Sequence, residues 1–206
     1  MPNWKTHIKV ANEVNSKLGY NNIDYELYVL GNILPDINNG YVKKDISTIY
    51  SHSYTHYKNK ELSGHQYFLK LHSNDMKNSS LIMGYYIHLL TDYFFNDHFY
   101  KKISKDTKYD NYTEDNLRKI KQNDFRYYNN MISIQNVEVK NMDRLIEESK
   151  KIKNISIVES DIIKVQCKLN NIEKDNKCFP EVYNHKEFDE LIKEVTKKIL
   201  NIICDL

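Results

Sequence analysis

The sequence predicts an all-α fold, a single-domain bundle of several helices, and three observations carry that reading. Only 5 Gly and 3 Pro occur in 206 residues, too few for the tight turns of a sheet-rich fold. Apolar residues return every three or four positions along most of the chain, which is the period of an amphipathic helix. The stretch from Leu81 to Tyr100 is apolar on nearly every side, as in a helix buried at the centre of its domain. A hydrophobic content of 40% with 28% charged residues suits a globular chain able to close its own core. We expect one domain over residues 1–206, with the chemistry-bearing residues in a first half of about 1–105 and a purely helical second half of about 106–206.

The elements follow in order. A first helix spans Trp4 to Leu18 and stops at Gly19; His7, Ala11, Val14 and Leu18 form its inward stripe. A second starts near Asp24 and ends around Gly31-Asn32, where the turn Leu34-Pro35-Asp36 begins, with proline fixing the backbone just before an acid. Ile37 to Lys44 reads as a loop, and Ser51 to His56 fits either helix or loop. Leu62 to Leu71 is a short helix. Ser79 or Ser80 caps the long apolar helix. Thr113 opens a helix of Glu114 to Met131, and amphipathic stretches cover Asn141 to Lys151 and Ser160 to Leu169. Lys174 to Phe179 is a polar loop ending at Pro180. Asn184 with Glu187 forms a capping box for the last helix, whose stripe is Phe188, Leu191, Ile192, Val195, Ile199 and Ile202.

Charge and cysteine usage narrow the function classes. A net charge of +2 gives no electrostatic footprint for nucleic acid or an anionic membrane, and the only arginines are Arg118, Arg126 and Arg144. Three cysteines, Cys167, Cys178 and Cys204, without a Cys-x-x-Cys pair, read as free thiols in a reducing compartment. The first residues hold no apolar signal-like region, and no run approaches the roughly 18 apolar residues of a membrane span. A cytoplasmic location with no transmembrane segment is expected.

The chemistry concentrates in Gly84-Tyr85-Tyr86-Ile87-His88-Leu89-Leu90-Thr91-Asp92, where an imidazole and a carboxylate share one helical face inside an apolar run. Buried polar groups need partners, so this pair is either a hydrogen-bonded staple of the core or part of a metal site. Seven of the eight histidines lie in the first 98 residues, several beside apolar neighbours, which favours a site assembled from several helices. The inward polar set is His7, Asp36, His52 or His56, His88, Asp92 and His98. Imidazole with carboxylate and no thiolate suits zinc or another borderline divalent ion.

Two elements in this order resemble a known family: Leu30-Gly31-Asn32-Ile33-Leu34-Pro35-Asp36, and the Gly84 to Asp92 helix with His98 ten residues after His88. Together with Trp4 and His7 they make residues 4 to 100 similar to the zinc-dependent phospholipase C of bacteria, a family related in fold to the fungal single-strand-specific zinc nucleases. The resemblance implies a metal held by Asp36, His56 (or His52), His88 and Asp92. It implies a second that shares Asp92 and uses His7, and a role for His98 in a third site. No histidine occurs between His98 and His185, so one or two ions are expected rather than three. His65, His72 and His185 read as structural or exposed, and Tyr85 and Tyr86 as core.

The expected function is a metal-dependent, phospholipase C-like hydrolase of phosphate esters with metal-bound hydroxide as nucleophile, Asp36 doubling as the base that orients the water. The substrate is a small-molecule or lipid phosphate ester. The alternative is a non-catalytic helical scaffold that retains a structural metal. A phosphohydrolase of the adjacent His-Asp type is disfavoured, because no such dipeptide occurs.

Overall fold

The computed structural model describes residues 2–19, 23–37, 42, 43, 46, 51, 52, 63–153, 155–172 and 179–206. Every regular element among them is helical: α1 (Trp4–Leu18), α2 (Tyr25–Ile33), a 3-10 turn (Leu34–Asp36), α3 (Gly64–Met76), α4 (Ser80–Ile103), a second 3-10 turn (Thr107–Tyr109), α5 (Glu114–Asn129), α6 (Met142–Ser149), α7 (Glu159–Asn170) and α8 (His185–Cys204). The class is the all-α one expected. The loop over Lys174 to Cys178, the residue Cys178, and most of the Ile37 to Lys44 loop lie outside the described residues.

Boundaries follow local chemistry. The Asp24 carboxylate accepts from the Leu27 amide at the start of α2, and the Asn184/Glu187 capping box opens α8. Ser79, not Ser80, caps α4: its hydroxyl accepts from the Ile82 amide. Helix α3 runs five residues past the expected Leu71. The polar run His72-Ser73-Asn74-Asp75 looks like a loop, yet Phe68, His72 and Met76 fall at four-residue spacing and are all buried, so the inward stripe continues to Met76. The two 3-10 turns have no periodic signal in sequence.

The chain sorts into two compact units interleaved in sequence. One contains Gly19–Leu90 and Gln135–Ile172. Here α2 crosses α4 at two glycines. A Cβ on Gly31 would stand 2.0 Å from the Leu81 carbonyl oxygen, and one on Gly84 would stand 2.1 Å from that of Tyr28. Only a residue without a side chain permits backbones to approach so closely. Phe68 of α3 stacks flat on Tyr85 of α4, with ring centroids 4.7 Å apart. Arg144 of α6 pairs with Asp24 at 2.6 Å, and Lys43 reaches the Ser156 carbonyl and Asp161.

The other unit contains Met1–Leu18, Thr91–Ile134 and Glu173–Asp205. Its core joins the buried faces of α1 (Ile8, Ala11, Val14) and α8 (Leu191, Val195, Ile199) with an aromatic cluster of Phe95, Phe99, Phe125, Tyr128, Tyr183 and Phe188. Tyr128 stacks on Phe188 at 4.2 Å. Asp124, fully buried on α5, accepts amide hydrogens from Glu181, Val182 and Tyr183 at 2.6, 2.9 and 3.0 Å and so pins the segment leading into α8. Burial pushes its carboxyl upward in pKa, against those three amides.

Candidate metal centre

Asp36, His52 and His88 converge in the first unit. Proline 35 fixes the backbone of the 3-10 turn after α2, which presents Asp36 with its side chain 14% exposed. Its Oδ1 lies 3.5 Å from His52 Nε2 and 3.9 Å from His88 Nε2. The donor atoms of all three residues fall within 4.8 Å of one another. Two zinc bonds of about 2.0–2.1 Å at a tetrahedral angle place their donors roughly 3.3–3.4 Å apart, close to the 3.5 Å from Asp36 to His52 and about 0.5 Å inside the 3.9 Å from Asp36 to His88.

The histidines are oriented as ligands require. His88 Nδ1 is 2.8 Å from the backbone oxygen of Asn32. A carbonyl can only accept, so Nδ1 carries the proton and the Nε2 lone pair turns toward Asp36. Asn32 is itself held by its side-chain amide, which donates to the Gly84 carbonyl at 3.2 Å. The glycine crossing of α2 and α4 therefore sets the distance at which His88 meets its anchor. His52 Nδ1 is engaged at 3.1 Å by the Ser51 hydroxyl, again leaving Nε2 on the Asp36 side. Ring nitrogens fixed by a partner behind them, with the other nitrogen facing a carboxylate, are the usual outer support of a zinc histidine. Two imidazoles and one carboxylate, with no thiolate, fit zinc.

Tyr85 supports this arrangement from behind. It is fully buried, and its hydroxyl donates to the Ser51 carbonyl, next in the chain to His52. Burial, with the negative charge of Asp36 adding to it, pushes the phenol pKa well above its ordinary value, so the group remains a donor. Tyr85 is a core residue, as its apolar surroundings predict; its second task runs through a backbone carbonyl that no side-chain pattern reveals. Replacing Tyr85 with Phe is expected to weaken zinc binding about tenfold, in the range of such supporting contacts, while helix content is retained. Zinc competition against a chromogenic chelator, read beside far-UV circular dichroism, checks it; equal affinity in both proteins would contradict the support.

Among the other expected site residues, His7 of α1 and Asp92 of α4 meet in the second unit, Nε2 to Oδ1 at 3.3 Å, both buried. Asp92 follows His88 by one turn of the same helix. His98 takes a different set of partners: its Nδ1 lies 3.0 Å from the Tyr183 hydroxyl and its Nε2 3.8 Å from Glu194. Burial is the largest influence lowering its pKa, with Lys198 and Lys102 acting the same way and Glu194 and Asp97 opposing them. His56 lies outside the described residues. His72 packs on Phe68 with Nδ1 3.7 Å from Asp75, His65 bonds Ser63, and His185 is exposed. No helix among the described residues is long and apolar enough to cross a membrane.

Neither a curated protein nor a solved structure matches the chain. A known family does: the one described as zinc dependent phospholipase C matches residues 6–204, nearly the full length and well beyond the residues 4 to 100 that carry the recognisable motifs. With a helical fold and a histidine–aspartate cluster of zinc-binding character already in place, this match settles the assignment: the chain belongs to the zinc-dependent phospholipase C family.

Proposed function

We propose that the protein hydrolyses a phosphate ester, most favourably a lipid phosphodiester, at a zinc centre built on Asp36, His52 and His88. The convergence of those three donor atoms within 4.8 Å is the observation that carries the reading. His7 and Asp92 are assigned a second ion on the strength of their 3.3 Å approach and their place in the family pattern. Zinc bound in such a site lowers the pKa of water and polarises phosphoryl oxygens.

The chain's own residues do the rest. Asn32 and Ser51 hold the imidazoles in register, so nothing has to reorganise when an ester arrives. Asp36, the least buried of the three, offers a carboxylate oxygen that accepts the proton of the attacking water and orients it toward phosphorus. Water adds to phosphorus, the bond to the lipid alcohol breaks, and the alcohol leaves carrying a proton while the phosphate stays with the headgroup.

The test couples metal to turnover. Protein purified without a chelator or histidine tag should hold one or two zinc per chain and hydrolyse short-chain phosphatidylcholine or a chromogenic phosphodiester. Asp36→Asn should cut kcat by about 100-fold or more, since it removes the proton acceptor and weakens a ligand together. Zinc retained in full with no hydrolysis of any phosphodiester or phosphomonoester would favour the structural-metal scaffold instead. No zinc taken up at all would overturn the centre.

A further inference from the structure

Lys43 follows Asp36 closely in the chain and is held by both its backbone and its side chain. Its amide and that of Val42 donate to the Ile37 carbonyl, at 2.7 and 3.0 Å. Ile37 is the residue next to Asp36; its own amide donates to the Leu34 carbonyl at 3.3 Å, and its side chain is buried. The Lys43 side chain runs to a distant part of the sequence. Its ammonium donates to the Ser156 carbonyl at 2.6 Å, 113 residues on, and pairs with Asp161 Oδ2 at 3.2 Å. The same Oδ2 accepts the Val158 amide at 3.0 Å, at the start of α7. All of these residues, with Asp36, His52 and His88, lie in the unit that contains Gly19–Leu90 and Gln135–Ile172.

Burial sets this pair apart from other ion pairs of the unit. Lys150–Glu147 and Lys151–Glu148 join neighbours three residues apart, with both ammonium groups well open to solvent. Such pairs contribute little. The Lys43 and Asp161 side chains are only 16% and 8% exposed. A buried pair adds little net stability over apolar residues of the same size, because both ions lose their water; what it can fix is geometry. Here the geometry is that of Asp36. The 3-10 turn holds Asp36 from the α2 side, and Ile37 holds it from the other. Two amides on one carbonyl occupy both of its lone pairs, so the Ile37 peptide turns only if Val42 and Lys43 turn with it. The ammonium anchors those residues to α7. A carboxylate 3.5 and 3.9 Å from its two histidine partners has a few tenths of an ångström of latitude before it no longer shares an ion with them.

We propose that Lys43 is a positioning residue of the metal centre. Its ammonium, clamped between the Ser156 carbonyl and the Asp161 carboxylate, fixes the Ile37 peptide and through it the reach of Asp36 toward His52 and His88. This rests on the zinc-centre reading above and adds to it a strut from α7.

Zinc affinity, measured by competition with a chromogenic chelator, is read beside the Tm of the metal-free chain. Lys43→Met keeps the aliphatic stem and removes the charge; it should lower both, the affinity by about tenfold. Lys43→Arg should recover part of the affinity. The double variant Lys43→Met/Asp161→Asn separates positioning from mere support. With both charges gone the Tm should return toward wild type, while the affinity stays about tenfold down. Asparagine at 161 retains an oxygen for the Val158 amide, so α7 still starts in place. Affinity that returns together with the Tm overturns the proposal, and so does wild-type affinity in Lys43→Met. If Lys43→Met alone fails to fold, the double variant is set against wild type by the same criterion. Cobalt(II) in place of zinc gives a second readout, because its visible absorption reports ligand geometry; the bands should differ between wild type and the double variant, and identical bands overturn the strut. Hydrolysis of a chromogenic phosphodiester is followed in parallel. Zinc-loaded wild type without hydrolysis removes the hydrolase reading and leaves the strut standing, whereas a wild type that takes up no zinc removes the centre and the strut together.

Discussion

Gly84→Ala is expected to destabilise the protein by about 3 kcal/mol or more, a fall of roughly 6–12 °C in Tm for a chain of this size. Alanine would normally gain about 1 kcal/mol over glycine inside a helix. Here the added methyl meets the Tyr28 carbonyl oxygen at 2.1 Å, with the Asn32 amide nitrogen 3.0 Å away. Both obstacles are backbone, so no rotamer change relieves them and the two helices must part. Overpacking therefore outweighs propensity. The same reasoning applies to Gly31, whose Cβ would sit 2.0 Å from the Leu81 oxygen. Parting the helices also stretches the contacts from Asn32 to Gly84 and to His88, so zinc affinity should fall with stability. Thermal unfolding of the metal-free variant, followed by zinc titration, separates the two effects; an unchanged Tm would mean that the crossing is looser than described.

The second large effect belongs to His88→Ala. It removes one of three converging donors and leaves the Asn32 carbonyl without the ring nitrogen that faced it. Zinc affinity is expected to drop by about 100-fold or more, the order at which losing merely a supporting contact tops out, and turnover by at least as much. Stabilisation by zinc should shrink with it. A ligand present at about 1,000 times its Kd adds roughly 4 kcal/mol to wild-type stability, and at the same concentration a 100-fold weaker variant should keep about 1.4 kcal/mol of it or less. His98→Ala is the control: its partners are Tyr183 and Glu194, so zinc uptake should be unaffected. If His88→Ala gained as much zinc-dependent stability as wild type, the donors would have to be sought elsewhere in the chain.

The helical class, most helix spans and the inward placement of His7, Asp36, His88 and Asp92 could be read from periodicity and motif order, because burial of a stripe is a local property of the sequence. What could not be read depends on contacts between distant segments. His52 is brought to Asp36 through Ser51 and Tyr85, and nothing local distinguishes it from His56 four residues on. Asn32 sits in the middle of the Gly31 to Asp36 motif, yet its part is played by a backbone oxygen and by an amide aimed at another helix. Lys121 is buried on the inward face of α5, a placement its sequence neighbours do not signal. The contact between His98 and Tyr183, a residue far along the chain, is likewise invisible to any local pattern.

Backbone carbonyls orient both His88 and Tyr85, and this determines which kinds of genetic change the centre tolerates. A carbonyl is the same whatever side chain accompanies it, so point substitutions at the positions supplying them leave the key acceptors in place. Insertions and deletions have no such latitude. One residue gained within α2 turns everything after it by about 100°, carrying the Asn32 oxygen away from His88 and Asp36 away from both imidazoles at once. Members of this lineage should therefore keep the number of residues between Gly31 and Asp36 constant, whatever substitutions they accept at positions there that contribute only backbone oxygens.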